Sequence, residues 1–115
     1  MPLYAALTYT PDLDWSAPEQ GEHMAGYQEF GQAAAAVIRG GHALHPTSTA
    51  TTVTVRGGKG GEVVTSDGPY AETKEVLAGF YVLECADLDE AVAWAARIPA
   101  AWDGAVEVRP VMTFG

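Results

Sequence analysis

The stretch VLAGFYVLEC, residues 76–85, decides the fold of this 115-residue chain. Almost every side chain in it is apolar, and successive side chains of an extended strand point to opposite faces of a sheet. Leu77, Tyr81 and Leu83 are therefore expected on one face, and Phe80 and Val82 on the other. A strand that is apolar on both faces predicts a sheet that is buried on both faces.

Towards the N-terminus, the sequence predicts a strand, a helix and a hairpin. The short apolar run at 3–9 is typical of a strand, and TPDLD ends it. Apolar residues follow at helical spacing over 18–39, and the pair Gly40-Gly41 predicts the end of that helix. The β-branched run at 49–55, the glycine-rich GGKGG and the residues 62–65 together predict a β-hairpin.

Towards the C-terminus, the sequence predicts one more helix and one more strand. Residues 87–90, DLDE, have the pattern of a capping box, and the apolar stripe after them continues to about Ile98, where Pro99 ends the helix. The run at 105–114 predicts a final strand near the edge of a sheet. The order is β-α-β-β-β-α-β, or β-α-β-β-α-β if the hairpin is counted loosely. It predicts a single α+β domain over residues 1–115, with a ferredoxin-like antiparallel sheet and both helices on one face.

Two helices can cover only one face of such a sheet. The second apolar face would be exposed in a monomer, and single domains rarely leave more than a few hundred Å² of contiguous apolar surface in water. A second copy of the chain is the simplest cover. The sequence therefore predicts a homodimer that buries about 800 Å² per partner.

Charge and cysteine content exclude several classes of protein. The formal net charge is −9, and the six Lys and Arg residues are scattered, so neither nucleic acid nor an anionic membrane surface is an expected partner. No apolar run approaches the length of a membrane span, and no signal peptide is expected at the start of the chain. The lone Cys85 excludes an internal disulfide and suits a reducing compartment, so a cytoplasmic location is expected.

Four blocks of sequence carry a resemblance to a known family. They are DGPYAETKE at 67–75, LAGFYVLE at 77–84, DLDEAVAWAARIP at 87–99 and AVEVRPV at 105–111. In this order, and with STATTVTVR before them, they resemble the YCII-related family and in particular its DGPF branch. The resemblance implies a dimeric α/β barrel, in which two ferredoxin-like sheets pack face to face with a pocket in each half.

The segment DGPYAETKE is the candidate site. If the protein is an enzyme, which the sequence leaves open, the resemblance implies acid/base chemistry on a small carboxylate or lactone. Glu72 or Asp67 would be the catalytic base, and Tyr70, Lys74 and Arg109 would bind the ligand. The structural alternative is a plain turn at Asp67 and a surface ion pair between Glu72 and Lys74.

The chain departs from the family pattern in two respects. Tyr70 stands where the branch usually has Phe, which adds a hydroxyl group. The wider family has a proposed catalytic histidine in helix one and an acidic partner near the end of helix two. A count back from Gly41 places the histidine position near Glu29, and His23 is more than a turn away. The acidic position falls around Ile98, so the sequence does not carry that pair over.

Other functional classes remain beside small-molecule binding. The DGPF branch is associated with extracytoplasmic-function sigma factors, so the resemblance also implies a non-catalytic regulatory or accessory role with such a partner. A dimer with a vestigial pocket is the third interpretation. His42 and His45 lack further ligands nearby, so no metal is expected, and no motif predicts a cofactor.

Overall fold

The computed structural model describes residues 1–114. The strands are β1 (Leu3–Pro11), β2 (Ile38–Ala43), β3 (Thr51–Arg56), β4 (Glu62–Asp67), β5 (Glu75–Glu84) and β6 (Ala105–Pro110). The helices are α1 (Gly21–Ala33), α2 (Leu88–Ala95) and the short α3 (Ala100–Asp103), and single 3-10 turns lie at Pro18–Gln20 and Thr47–Thr49.

Four of the strands form one antiparallel sheet in the order β2-β5-β1-β6. This order, with a helix between the first two of these strands along the chain and another before the last, is the ferredoxin-like plan that the sequence predicts. The fold class is therefore confirmed as α+β. The described part of the single chain contains no closed barrel.

The core lies between one face of this sheet and the helices. Burial alternates along β1, where Tyr4, Ala6, Thr8 and Thr10 are buried and the residues between them are only half-buried. The buried side chains that meet this face come from both helices and from the segments after them; they are Phe30, Ala34, Ala91, Ala95, Ile98 and Ala100. Both helices therefore cover the same face, as the sequence predicts.

The first helix is shorter than the sequence predicts, and a strand takes its last residues. Helix α1 ends at Ala33, and Ile38–Ala43 pairs with β5 as the edge strand β2. Gly41 has a φ of +148°, and a Cβ atom there would contact the carbonyl oxygen of Phe80. The glycines that suggested a helix end instead let the backbone of β2 approach β5 closely.

The predicted hairpin is confirmed, but it is not part of the main sheet. Strands β3 and β4 pair only with each other and form a separate two-stranded sheet. The chain has a radius of gyration of 16.3 Å and extents of 46 × 45 × 19 Å. A compact domain of this length would have a radius of gyration of about 13 Å. The chain is thus broad and thin, which fits a hairpin arm that projects from a two-layer body.

The face of the sheet opposite the helices is apolar at its centre, as the sequence predicts. Alternation and register place five side chains there: Leu3, Ala5, Leu7, Phe80 and Val82. One expectation is wrong, because a β-bulge at Ala78 shifts the register and sets Leu77 opposite Tyr9 on this open face instead of beside Tyr81. We call this surface the open face.

The second helix begins as predicted and ends earlier. The Asp87 carboxylate accepts a hydrogen bond from the Glu90 N–H at 2.9 Å, which confirms the N-cap. Helix α2 ends at Ala95, and α3 follows after Pro99. The thiol of Cys85 is fully buried in the core, and this burial raises its pKa.

Candidate functional site

A cleft lies between α1 and the part of the sheet formed by β2, β5 and β1. One end of it is a cavity of ≈ 220 Å³ whose walls are mostly apolar; they include Thr8, Trp15, Met24, Tyr27 and Tyr81. We call this end the apolar lobe. Its lining is typical of sites for small organic molecules, which are mostly apolar with a few polar groups.

A second cavity of ≈ 220 Å³ adjoins the first, because Trp15 and Tyr27 line both. Its walls are also mostly apolar, and they include the ionisable residues His23 and Asp103 beside Thr10, Leu13 and Pro99. We call this end the polar lobe. The two lobes adjoin, and the polar lobe differs from the apolar one in holding a carboxylate.

The loop between β1 and α1 holds Trp15 in the shared wall. The backbone N–H and the hydroxyl of Ser16 donate hydrogen bonds to Asp14 Oδ1 at 3.0 and 2.6 Å, and these bonds lower the pKa of Asp14. The Trp15 ring meets Tyr27 edge to face at 5.5 Å and 76°, and it meets His23 at 5.6 Å and 79°. Trp15 therefore forms a corner with each of these rings.

A histidine and an aspartate meet in the polar lobe. The Nε2 atom of His23, in the first turn of α1, lies 3.4 Å from Oδ2 of Asp103, the last residue of α3. The other ring nitrogen, Nδ1, lies 2.9 Å from Oε1 of Gln20. Gly26 brings these elements together, because a Cβ atom there would lie only 3.1 Å from Pro99 Cγ. The imidazole is thus oriented at both nitrogens, as in a general acid/base group.

Two phenols lie in the cleft, and burial keeps both of them neutral near pH 7. Burial raises the pKa of Tyr27 to about 12, with further contributions from Tyr81 and Asp103 and a small opposing one from the Ala100 N–H. Burial also raises the pKa of Tyr81. Each phenol can therefore donate a hydrogen bond to a ligand, but neither is suited to act as a base.

No lysine or arginine lines either lobe in the part of the chain that the structure describes. Two of the six cations form ion pairs elsewhere: Arg39 Nη2 lies 3.0 Å from Glu84 Oε1, and Arg56 Nη1 lies 3.9 Å from Glu62 Oε2. The Arg97 guanidinium lies 5.0 Å from the centre of the Trp94 ring. The ionisable walls of the cleft are thus histidine, aspartate and tyrosine.

The predicted site residues lie outside the cleft in the single chain. Tyr70 is 88% exposed, and Asp67, Glu72 and Lys74 are exposed with it where the chain leaves β4 and enters β5. Arg109 is exposed on β6 and lies opposite Ala5 on the open face. None of the five lines either lobe. Their roles as a base and as ligand-binding groups remain predictions.

The His23–Asp103 pair was missed in the sequence for a definable reason. The count from Gly41 assumed one continuous helix, whereas α1 ends at Ala33 and a turn and a strand follow it. The acid also lies beyond Pro99, in α3, and not at the end of α2. The one local signal was His23 and Tyr27 at helical i, i+4 spacing, which places both side chains on the same face of α1.

Neither a cluster of metal ligands nor a membrane-spanning helix is present in residues 1–114. Residues 1–114 contain no group of three or more His, Cys, Asp or Glu side chains that could hold a metal ion. His42 instead packs edge to face against Phe80 at 6.0 Å. No helix within these residues is long and apolar enough to cross a membrane.

Comparison with known proteins identifies relatives over the whole chain. A family model described as the YCII-related domain matches residues 3–115. An uncharacterized protein, R00369, of Rhizobium meliloti (strain 1021) is 34% identical over 119 residues, which cover 97% of this chain and 94% of that protein. Both comparisons extend over the hairpin arm, the segment DGPYAETKE and the cleft.

Proposed function

We propose that this chain, which belongs to the YCII-related family, binds a small organic molecule in the cleft beneath α1. The resemblance to that family implies a pocket in each half of a dimer. The apolar lobe takes the flat or aliphatic part of this molecule. The polar lobe takes the group that reacts or is recognised, and His23 exchanges a proton with it.

The observation that carries this proposal is the orientation of His23. Its Nε2 atom lies 3.4 Å from the Asp103 carboxylate, and the carboxylate stabilises the imidazolium that forms when the ring accepts a proton. The partner on Nδ1 is Gln20, a half-buried residue of a single 3-10 turn. A bound ligand replaces this amide at Nδ1, and Asp103 then holds the ring from the opposite side.

The walls of the cleft also indicate which chemical group is transformed. A carboxylate that enters this site would lose its hydration and meet no lysine or arginine in return, which costs free energy. A neutral acceptor, such as a lactone carbonyl, can accept a hydrogen bond from Tyr27 or Tyr81. Of the carboxylate and the lactone that the family resemblance implies, the lactone fits these walls better.

The test is turnover of a panel of small lactones, followed by NMR with His23→Gln and with His45→Gln as the matched control. His45 is an exposed loop residue that lines neither lobe. We expect His23→Gln to lose a factor of about 10²–10⁴ in turnover with binding retained, and His45→Gln to match the unsubstituted protein. Equal turnover in both variants would refute the role of His23.

The exposed segment at 67–75 has a proposed role only in an assembly. Glu72 and Asp67 are too exposed in the single chain to act as a desolvated base. They reach a bound molecule only where a second copy presents its surface to them. In the same turnover assay, Glu72→Ala separates the two bases: a loss with Glu72→Ala and none with His23→Gln would assign the chemistry to the segment.

We further propose that the functional unit is a homodimer that buries the open face. Leu7 lies at the centre of this face, opposite Phe80 on one side and Glu107 on the other. Glu107 and Arg109 alternate along β6 at its rim, so a twofold axis could set each against its opposite charge. The exposed hairpin arm supports the same conclusion, because a two-stranded sheet is marginal without a partner.

Sedimentation at micromolar concentration tests this assembly. We expect the protein to sediment as a dimer, Leu7→Glu to sediment as a monomer of 12.1 kDa, and Val92→Glu on the outer side of α2 to remain a dimer. Val92 is 51% exposed already, so its substitution controls for added charge. A monomer at every concentration of the unsubstituted protein would refute the dimer. Association with a sigma factor stays a prediction from the resemblance.

A further inference from the structure

We infer that the cleft selects cationic ligands, and that its natural ligand carries an amine or quaternary ammonium group on a flat apolar body. This inference rests on the proposed binding of a small molecule in the cleft and adds the charge of that molecule. The aromatic corner at Trp15 and the carboxylate of Asp103 carry it together.

The first observation is the arrangement of aromatic rings at the junction of the two lobes. Trp15 meets Tyr27 at 76° with ring centres 5.5 Å apart, and both rings line both lobes. A cation is attracted to the face of an aromatic ring, most strongly to Trp and then to Tyr. Both rings line the junction of the two lobes, so a ligand there contacts aromatic surface from each of them.

The second observation is the charge that lines the polar lobe. Asp103 is the carboxylate that lines this lobe. The Asp103 side chain is 57% exposed, so it would contact a ligand at the solvent side of the lobe. An ammonium group in the polar lobe would therefore meet the Asp103 carboxylate together with the neutral rings of Trp15 and Tyr27.

The third observation is the absence of fixed positive charge from the lobes. The cations of the chain lie in ion pairs, on the hairpin arm, in the segment at 67–75, over Trp94 or on the open face. An anionic ligand would find no fixed partner in the walls formed by the described residues, whereas a cationic one finds a carboxylate. The net charge of −9 adds a long-range field of the same sign.

The histidines are the groups that oppose this preference. His23 lies in the polar lobe and His42 in the wall of the apolar lobe, and each repels a cation when it is protonated. Cation binding and protonation of these rings therefore compete. The probes should therefore be compared at about pH 8, where less imidazole is protonated than at lower pH.

Three probes of nearly equal shape test the inference: phenethylammonium, phenethyl alcohol and phenylacetate, each titrated into the full-length protein and followed by NMR. We expect phenethylammonium to bind about tenfold more tightly than phenethyl alcohol, and phenylacetate to bind most weakly. Asp103→Asn should bring the ratio of cation affinity to alcohol affinity to within about twofold.

Asp89→Asn is the matched control, because it removes the same charge from an exposed position of α2 outside both lobes. A cation preference that survives Asp103→Asn as well as it survives Asp89→Asn would show that the Asp103 carboxylate does not contribute to it, and would overturn the inference. Tightest binding by phenylacetate would also overturn it, while the proposed pocket would stand. Binding of none of the three probes would overturn both.

Discussion

Substitution of Gly41 by alanine tests whether Ile38–Ala43 is the edge strand that closes one side of the cleft. Gly41 has a φ of +148°, which L-residues with side chains rarely adopt. Such a conformation costs roughly 1–3 kcal/mol for a residue other than glycine. A Cβ atom would in addition contact the Phe80 carbonyl oxygen and lie 3.0 Å from Tyr81 Cα, so β2 would have to separate from β5.

We expect Gly41→Ala to lower the free energy of unfolding by about 3 kcal/mol. This value is at the upper end of the range because the added Cβ contacts backbone atoms, which cannot move away by rotation of a side chain. With an m-value of about 1.5 kcal/mol/M, the midpoint of urea unfolding should fall by about 2 M. All proteins should be measured at one concentration, because the stability of a dimer depends on it.

Gly40→Ala is the control for this measurement. The nearest atom to a Cβ at Gly40 is Val82 Cγ2 at 4.0 Å, an ordinary contact, so its midpoint should change by less than about 0.5 M. Equal midpoints for the two variants would refute the edge-strand geometry and with it the wall of the apolar lobe. NMR titration of phenethyl alcohol into Gly41→Ala adds a functional measurement, because Gly41 lines that lobe.

Three further predictions concern the stability of the elements that hold the cleft. Leu83 is fully buried at the centre of the core, so Leu83→Ala should cost about 2–5 kcal/mol in urea unfolding; a cost below that range would show that the core collapses around the cavity. Asp87→Ala removes the hydrogen bond to the Glu90 N–H and should cost about 1 kcal/mol, which hydrogen exchange in the first turn of α2 would locate. Hydrogen bonds from Thr47 lower the pKa of Asp12 below its ordinary value of 3.8. The stability that Asp12 contributes is therefore present at pH values above 3.8 and is lost as the pH falls through the lowered pKa of the folded state. Asp12→Asn should make the thermal midpoint depend less steeply on pH in the acidic range. An unchanged dependence would contradict the linkage.

Elements with a local signal could be predicted from the sequence. The hairpin turn needs glycine at positive φ, and Gly57, Gly58 and Gly60 adopt it. The N-cap of α2 depends on Asp87 and Glu90, which are three residues apart. In each case the residues that make the interaction are neighbours in the chain, so their pattern is readable without a fold.

The strand at Ile38–Ala43 could not be predicted in the same way. Val37 and Ile38 continue the apolar spacing of α1, and the two glycines that follow are equally typical of a helix end and of a closely approached strand. Residues 38–43 form a strand because their backbone pairs with β5. Gly79 of β5 allows this pairing, since a side chain there would contact the carbonyl oxygen of His42. Only a contact between distant segments distinguishes the two conformations.

The candidate site shows the same division more sharply. The sequence drew attention to Tyr70, Glu72 and Lys74, because they form a distinctive run, yet in the single chain these side chains lie exposed and away from the cleft. The sequence did not pair His23 with Asp103, because neither belongs to a motif and 79 residues separate them in the chain. Their approach depends on Gly26 against Pro99, a contact that only helix packing creates.

The order of residues was sufficient to establish an antiparallel α+β sheet that is apolar on both sides, since alternation along β5 is a property of the chain alone. The identity of the edge strand, the separate hairpin arm and the meeting of His23 with Asp103 were decided by packing. The physical reason is that side-chain direction follows from local backbone geometry, whereas the distance between two side chains far apart in sequence follows only from how the elements pack.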